Sequence, residues 1–135
     1  MTLDESLDAH LTADAGVSAI AGTRIYFAFP PKGATRPLVT YALKSMPRQA
    51  LQGDEYVDTP VYDVGAWVDP GSSPDALQEA ITAALHGFTG LLGGGSGVEV
   101  GHIIRTDKRS EVLDLGDFTF LVGSIGTYEM NLAGG

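Results

Sequence analysis

The chain of 135 residues contains no cysteine. That excludes disulfide staples, a thiolate nucleophile and a thiolate zinc site, and it leaves the compartment open. Basic residues are scarce. Eight Lys and Arg stand against 17 Asp and Glu, a formal net charge of -9. Nucleic-acid phosphates demand a basic footprint, so nonspecific binding to DNA or RNA is not expected, nor is an anionic membrane surface. No apolar run approaches the roughly 18 residues of a membrane helix. The acidic start Met1–Asp8 also lacks the apolar stretch of a signal peptide, so a cytoplasmic protein is expected.

A hydrophobic share of 44% excludes disorder throughout. The length suits one domain over residues 1–135. The 18 glycines cluster in loops rather than recurring at a period, which excludes collagen-like order.

The clearest pattern runs from Thr59 to Gly87. Tyr62, Val64, Ala66 and Val68 alternate with Asp63, Gly65 and Trp67, which places them on one face of a strand. Asp69-Pro70-Gly71 stops that strand. Ser73 is then a candidate N-cap, with Pro74 at the first helical position and Asp75 in the first turn. Leu77, Ala80, Ile81, Ala84 and Leu85 fall at helical spacing, and His86-Gly87 closes the helix.

Upstream, Thr2–Ala13 reads as a helix. Thr2 and Glu5 stand at capping-box spacing, and Leu3, Leu7 and Leu11 form its apolar stripe. Asp14–Ala21 reads as a second short helix stopped at Gly22. Arg24–Phe29 and Leu38–Lys44 read as strands, Met46–Asp54 as a loop with its tip at Gly53-Asp54, and Tyr56–Val68 as one long strand in which Pro60 suggests a bulge, an edge or a late start. Downstream, Phe88–Gly97 reads as a flexible loop. Val98–Arg105 is a strand with Val98, Val100 and His102 on one face, and Thr106–Ser110 a charged turn. Glu111–Asp114 resumes the strand, Phe118–Met130 is a long final strand, and Asn131–Gly135 is a tail. A single strand–helix–strand crossover is long enough for parallel pairing, and the other links read as hairpins. The fold class is therefore α+β, a mostly antiparallel β-sheet with two to three helices packed on one face.

Reactive groupings are weak. His10, His86 and His102 are far apart and carry no HExxH-type partners, so no metal is expected. Gly93-Gly94-Gly95-Ser96-Gly97 lacks the Gly-Lys-Ser/Thr ending of a phosphate loop, so no nucleotide cofactor is expected. Ser124 has the wrong glycine spacing for a nucleophile elbow. Asp107, Glu111, Asp114 and Asp117 do not follow the spacing of a calcium loop. No catalytic residue is proposed.

Trp67 points away from the Tyr62–Val68 face, as Leu121 and Ile125 point away from the Phe118–Met130 face. A sheet apolar on both sides, with helices for one, needs a second cover, and a partner subunit would supply it. Trp67, Leu121 and Ile125, with the loop glycines Gly93, Gly94 and Gly95, are the candidate interface residues.

The phrases Thr12–Tyr26, Pro30-Pro31, Pro37-Leu-Val-Thr-Tyr and Val61-Tyr-Asp-Val-Gly-Ala-Trp, followed by the Asp75–Leu85 helix, resemble the tail-completion or tail-terminator proteins of siphophages and prophages. That family was formerly a domain of unknown function. The resemblance spans nearly the whole chain. It implies a non-enzymatic virion protein forming a ring, commonly hexameric, at the head-proximal end of the tail tube. There it would stop tube growth and join the tail to head-completion proteins, with DNA passing through the lumen. It implies no cofactor and no catalytic residue. Two alternatives stay open: a head-side connector subunit, and a small oligomeric ligand-binding α+β domain.

Overall fold

The computed structural model describes residues 2–46, 48–50, 56–95, 97–116 and 118–132. Helix α1 spans Leu3–Ala13 and α2 spans Ala15–Ala21. The capping box forms as its spacing predicts: the Thr2 hydroxyl accepts from the Glu5 amide at 3.2 Å, and a Glu5 carboxylate oxygen accepts from the Thr2 amide at 3.3 Å. The Asp14 carboxylate caps α2 by accepting from the Val17 amide. Helix α3 spans Asp75–Leu85. Pro74, expected at the first helical position, instead occupies the N-cap, while the Ser73 hydroxyl accepts from the Asp75 amide at 3.3 Å. Gly87 sits at φ 84°, the left-handed stop.

Strands β1 (Ile25–Phe27), β2 (Leu38–Ser45), β5 (Val61–Val68), β6 (Gly90–Leu92), β7 (Val98–Gly116) and β8 (Thr119–Leu132) form a six-stranded sheet in the order β1-β2-β5-β8-β7-β6. Strands β3 (Arg48–Ala50) and β4 (Tyr56–Asp58) form a separate antiparallel pair. The fold is α+β, as expected. All three helices contribute to one core, where Leu7, Leu11, Val17, Leu77, Ile81 and Leu85 meet Tyr62, Val64, Ala66, Tyr128 and Met130 of the sheet. Burying each of the large aliphatic side chains contributes about 1.5–3 kcal/mol before entropy.

Five expectations need correction. The Tyr56–Val68 strand is divided at Thr59-Pro60, because proline gives the ladder no donor; the Pro60 carbonyl instead accepts from the Met130 amide. The glycine-rich Phe88–Gly97 segment contains an edge strand, β6, paired with Val98–Val100. The charged segment 106–110 is not a turn but the middle of the 19-residue strand β7, whose charged side chains find partners across the sheet and on α3. The ladder slips between Val100 and His102, so Ile103 rather than His102 shares the buried side with Val100. Finally, β1 and β2 are not a hairpin but a parallel pair, Ile25↔Val39 to Phe27↔Tyr41. Parallel pairing forces residues 28–37 to travel back along the sheet, and they do so over its second face. The expected tip at Gly53-Asp54 and the end of the tail, 133–135, lie outside the described residues.

Candidate assembly surfaces

The second face holds a small core of Leu38, Trp67, Leu121 and Ile125, with Tyr26, Ala34 and Leu113 against it. Trp67 is 6% exposed, and its indole N–H donates to the Thr40 hydroxyl at 2.8 Å. The ring lies flat over Gly123, where an added Cβ would sit 2.4 Å from the indole. The cover that the sequence assigned to a partner subunit thus comes from the chain's own 28–37 loop. Trp67, Leu121 and Ile125 gather as expected, but beneath the surface. Gly93, Gly94 and Gly95 lie apart from them, after the edge strand β6, with Gly94 and Gly95 exposed.

The exposed apolar surface lies elsewhere. Strand β5 ends at Val68, opposite Val122, and β6 pairs with β7 only at Val98–Val100. Beyond the Val112–Val122 pair the β7–β8 hairpin therefore runs on as a two-stranded ribbon past the sheet. One side of this ribbon, with Leu113 and Leu121, lies under the 28–37 loop. A cleft of about 550 Å³ remains between Pro30, Pro31, Lys32 and Arg36 on one wall and Leu115 and Thr119 on the other. The opposite side, carrying Val112, Asp114 and Phe120, is bare, since α3 does not reach it. At the tip Phe118 takes φ 61° and is 97% exposed. A second apolar group, Phe27, Phe29, Leu43 and Met46, is exposed beside β1 and the end of β2. The sequence reading missed both groups. The signal was a β7–β8 hairpin longer than its neighbouring strands, and reading 106–110 as a turn concealed it.

The interior polar groups are structural. Buried Gln78 on α3 donates to the Ser124 carbonyl at 2.6 Å and accepts from the Tyr128 hydroxyl at 2.6 Å, stitching α3 to β8. Gly126 leaves room for this, since a Cβ there would come within 2.7 Å of the Gln78 oxygen. Tyr62 and Tyr41 donate to Asp4 and Asp8, tying α1 to the sheet. Burial, and then the carboxylate partner, push both phenols well above their usual range. On the second face Arg109 pairs with Glu111 at 3.0 Å, Asp63 at 3.2 Å and Asp107 at 3.6 Å. Of the hairpin carboxylates, Asp107 and Glu111 thus flank a guanidinium and Asp114 accepts from the Gly116 amide at 2.8 Å, while Asp117 lies outside the described residues.

The histidines are equally separate. His10 meets the Ala84 carbonyl at 2.8 Å, His86 accepts from the Arg105 amide at 3.0 Å through Nδ1, and His102 is exposed. The Ser124 hydroxyl is buried without a hydrogen-bond partner among the described residues. No group of three metal-ligating side chains forms among those residues, and no helix there is long and apolar enough to cross a membrane.

The family model of tail completion protein gp17 matches residues 5–115. No curated protein matches the chain. Among solved structures, a chain of the virion of the native gene transfer agent (GTA) particle is similar in fold. The two superpose with a TM-score of 0.65 over 98% of each chain, at 18% sequence identity.

Proposed function

The chain belongs to the tail completion protein gp17 family, and from that membership we propose that it forms a hexameric ring on the head-proximal end of a phage tail tube. In that position it ends tube growth and provides the joint to the head-completion proteins. The observation that carries this reading is the pair of exposed apolar groups, Val112/Phe118/Phe120 and Phe27/Leu43/Met46, left on one small sheet whose interior is otherwise closed. Exposed aromatic side chains of this kind mark surfaces built for a protein partner.

DNA must pass such a joint without adhering. A chain of net charge -9 supplies a lumen that repels phosphate, and a strongly basic lumen in the assembled ring would overturn that part of the reading. Trp67, Leu121 and Ile125 serve the joint from below by holding the base of the ribbon. The exposed Gly94 and Gly95 touch a neighbour on assembly. Normal head joining after deletion of residues 93–97 would remove the loop from this account.

The decisive experiment is imaging of particles made without this chain. Overlong tubes beside unattached heads are expected. Tails of normal length joined to heads would overturn the proposal. Normal tubes beside heads that leak DNA would move the chain to the head side of the joint.

A further inference from the structure

The charges of this acidic chain are segregated. Residues 15–53 hold five of the eight basic residues, Arg24, Lys32, Arg36, Lys44 and Arg48, and no acidic residue. Residues 110–135 hold Glu111, Asp114, Asp117 and Glu129 and no basic residue. In the fold Asp114 of the second group lies on the β7–β8 ribbon, beside Val112, Phe118 and Phe120, with Glu111 at the ribbon's base. Lys44, from the first group, stands between exposed Leu43 and Met46 at the end of β2.

The register sets these two patches at diagonal corners of the sheet. Leu43 and Ser45 pair with Tyr62 and Val61 at the start of β5, whereas the ribbon begins past Val68 at its end. Strand β2 lies near one edge of the six-strand order and β7 near the other. Both corners also present open backbone. Among the described residues, β2 beyond Tyr41, where β1 stops, has only β5 as a neighbour, and the ribbon strands have only each other.

We infer that the ribbon of one copy seats on the Leu43–Met46 corner of the next, Asp114 facing Lys44 and Phe118 entering the Phe27/Leu43/Met46 patch. An apolar ribbon carrying Asp114 meets an apolar strand edge carrying Lys44, so the contact is complementary in both charge and backbone hydrogen bonding. It is heterologous: each copy carries one of each surface. Repetition therefore closes a ring if the rotation permits and otherwise runs on as a filament. This inference rests on the ring reading above and names the surfaces that would build it.

The absence of cysteine makes a clean test, because introduced thiols are the only ones. Phe118→Cys and Leu43→Cys fall at exposed positions, and circular dichroism confirms that each variant keeps its fold. Under a short bis-thiol cross-linker, the mixture of the two single variants is expected to give dimers. The doubly substituted chain gives a ladder beyond the dimer, and neither single variant alone gives a product. Adding Lys44→Glu to one component or Asp114→Lys to the other lowers the dimer yield several-fold, and both together restore it. Dimers from Phe118→Cys alone would overturn the contact in favour of a ribbon-on-ribbon pair. Absence of product from the mixture, both free and in assembled tails, would overturn it as well. Such a failure beside overlong tubes in particles lacking the chain leaves the tail role standing. A ladder beside normal tails in those particles leaves the contact standing and removes the role.

Discussion

The two faces of the sheet are closed by different means. On one, three helices bring whole apolar stripes, and Leu7, Leu11, Ile81 and Leu85 are fully buried with Tyr62 and Tyr128. On the other, a loop without regular structure covers three buried residues gathered around one tryptophan. The helical cover repeats along the sheet, so losing one side chain leaves its neighbours packed. The loop cover has one keystone. The helices also stop at the end of β5 and leave the far side of the ribbon bare. Stability is thus concentrated at the middle of the sheet, and the corners keep apolar surface that no described residue covers.

Replacing Trp67 with alanine tests the keystone and carries the largest expected effect. Deleting a buried aromatic side chain costs about 3–5 kcal/mol, and here the Thr40 hydroxyl also loses its partner. Denaturant unfolding should show that loss. A drop below about 1 kcal/mol would mean the loop collapses onto the vacancy and the second face is not a packed core. Gly123→Ala probes the same contact from beneath. A methyl group 2.4 Å from the indole must displace the ring, at a cost of about 1–3 kcal/mol in an overpacked site. Trp67→Leu made together with Gly123→Ala should then cost less than the two single changes summed.

The helix face is probed by Gln78→Leu, which removes the donor to the Ser124 carbonyl and the acceptor for the Tyr128 hydroxyl. The Ser124 carbonyl loses this donor, while the Tyr128 hydroxyl keeps the Thr82 hydroxyl at 2.9 Å, and the expected loss is about 1–3 kcal/mol. Stability equal to the parent would show that the α3 stitch is dispensable. Alkaline pH loosens the same face at α1. Both Tyr41 and Tyr62 have folded-state pKa values raised above those of the unfolded chain. Their contribution is therefore intact below about pH 10, where the free phenol titrates, and declines as pH rises above it. Tyr62→Phe with Tyr41→Phe should flatten that decline between pH 9 and 11 in equilibrium unfolding measurements. An unchanged slope would assign the alkaline loss to other groups.

The sequence carried most of the helix face because its signals are local. The Thr2/Glu5 box, the Leu77–Leu85 stripe and the glycine stop at 87 each depend on a few neighbouring residues. The separation of Trp67 from Tyr62 and Val64 was equally readable from alternation. What covers Trp67 was not, since nothing in Pro30-Pro31-Lys32-Gly33 says that β1 and β2 run parallel or that the loop must fold back over the sheet. Charge misled at 106–110. Lys108 and Arg109 resemble a solvated turn in sequence, whereas in the fold α3 and β5, two strands away, bring Glu79 and Asp63 to them beside the local partners Asp107 and Glu111. One slip near Gly101 then exchanged His102 for Ile103 in the core, which alternation alone cannot foresee. The assembly surfaces depended on all of these, because the ribbon projects only if β7 is continuous.

The smallest expected effect on stability separates the two roles most sharply. Phe118 is 97% exposed at the ribbon tip, so Phe118→Ser removes almost no contact within the chain. Its change in unfolding free energy should stay within about 0.5 kcal/mol, as for surface positions generally. Trp67→Ala, by contrast, weakens the fold and acts on assembly only through the base of the ribbon. If the corners are the working surfaces, Phe118→Ser should yield a chain that melts like the parent yet fails to complete tails in a particle-complementation assay. Full complementation by Phe118→Ser would remove the ribbon tip from the joint and return attention to the residues beneath it.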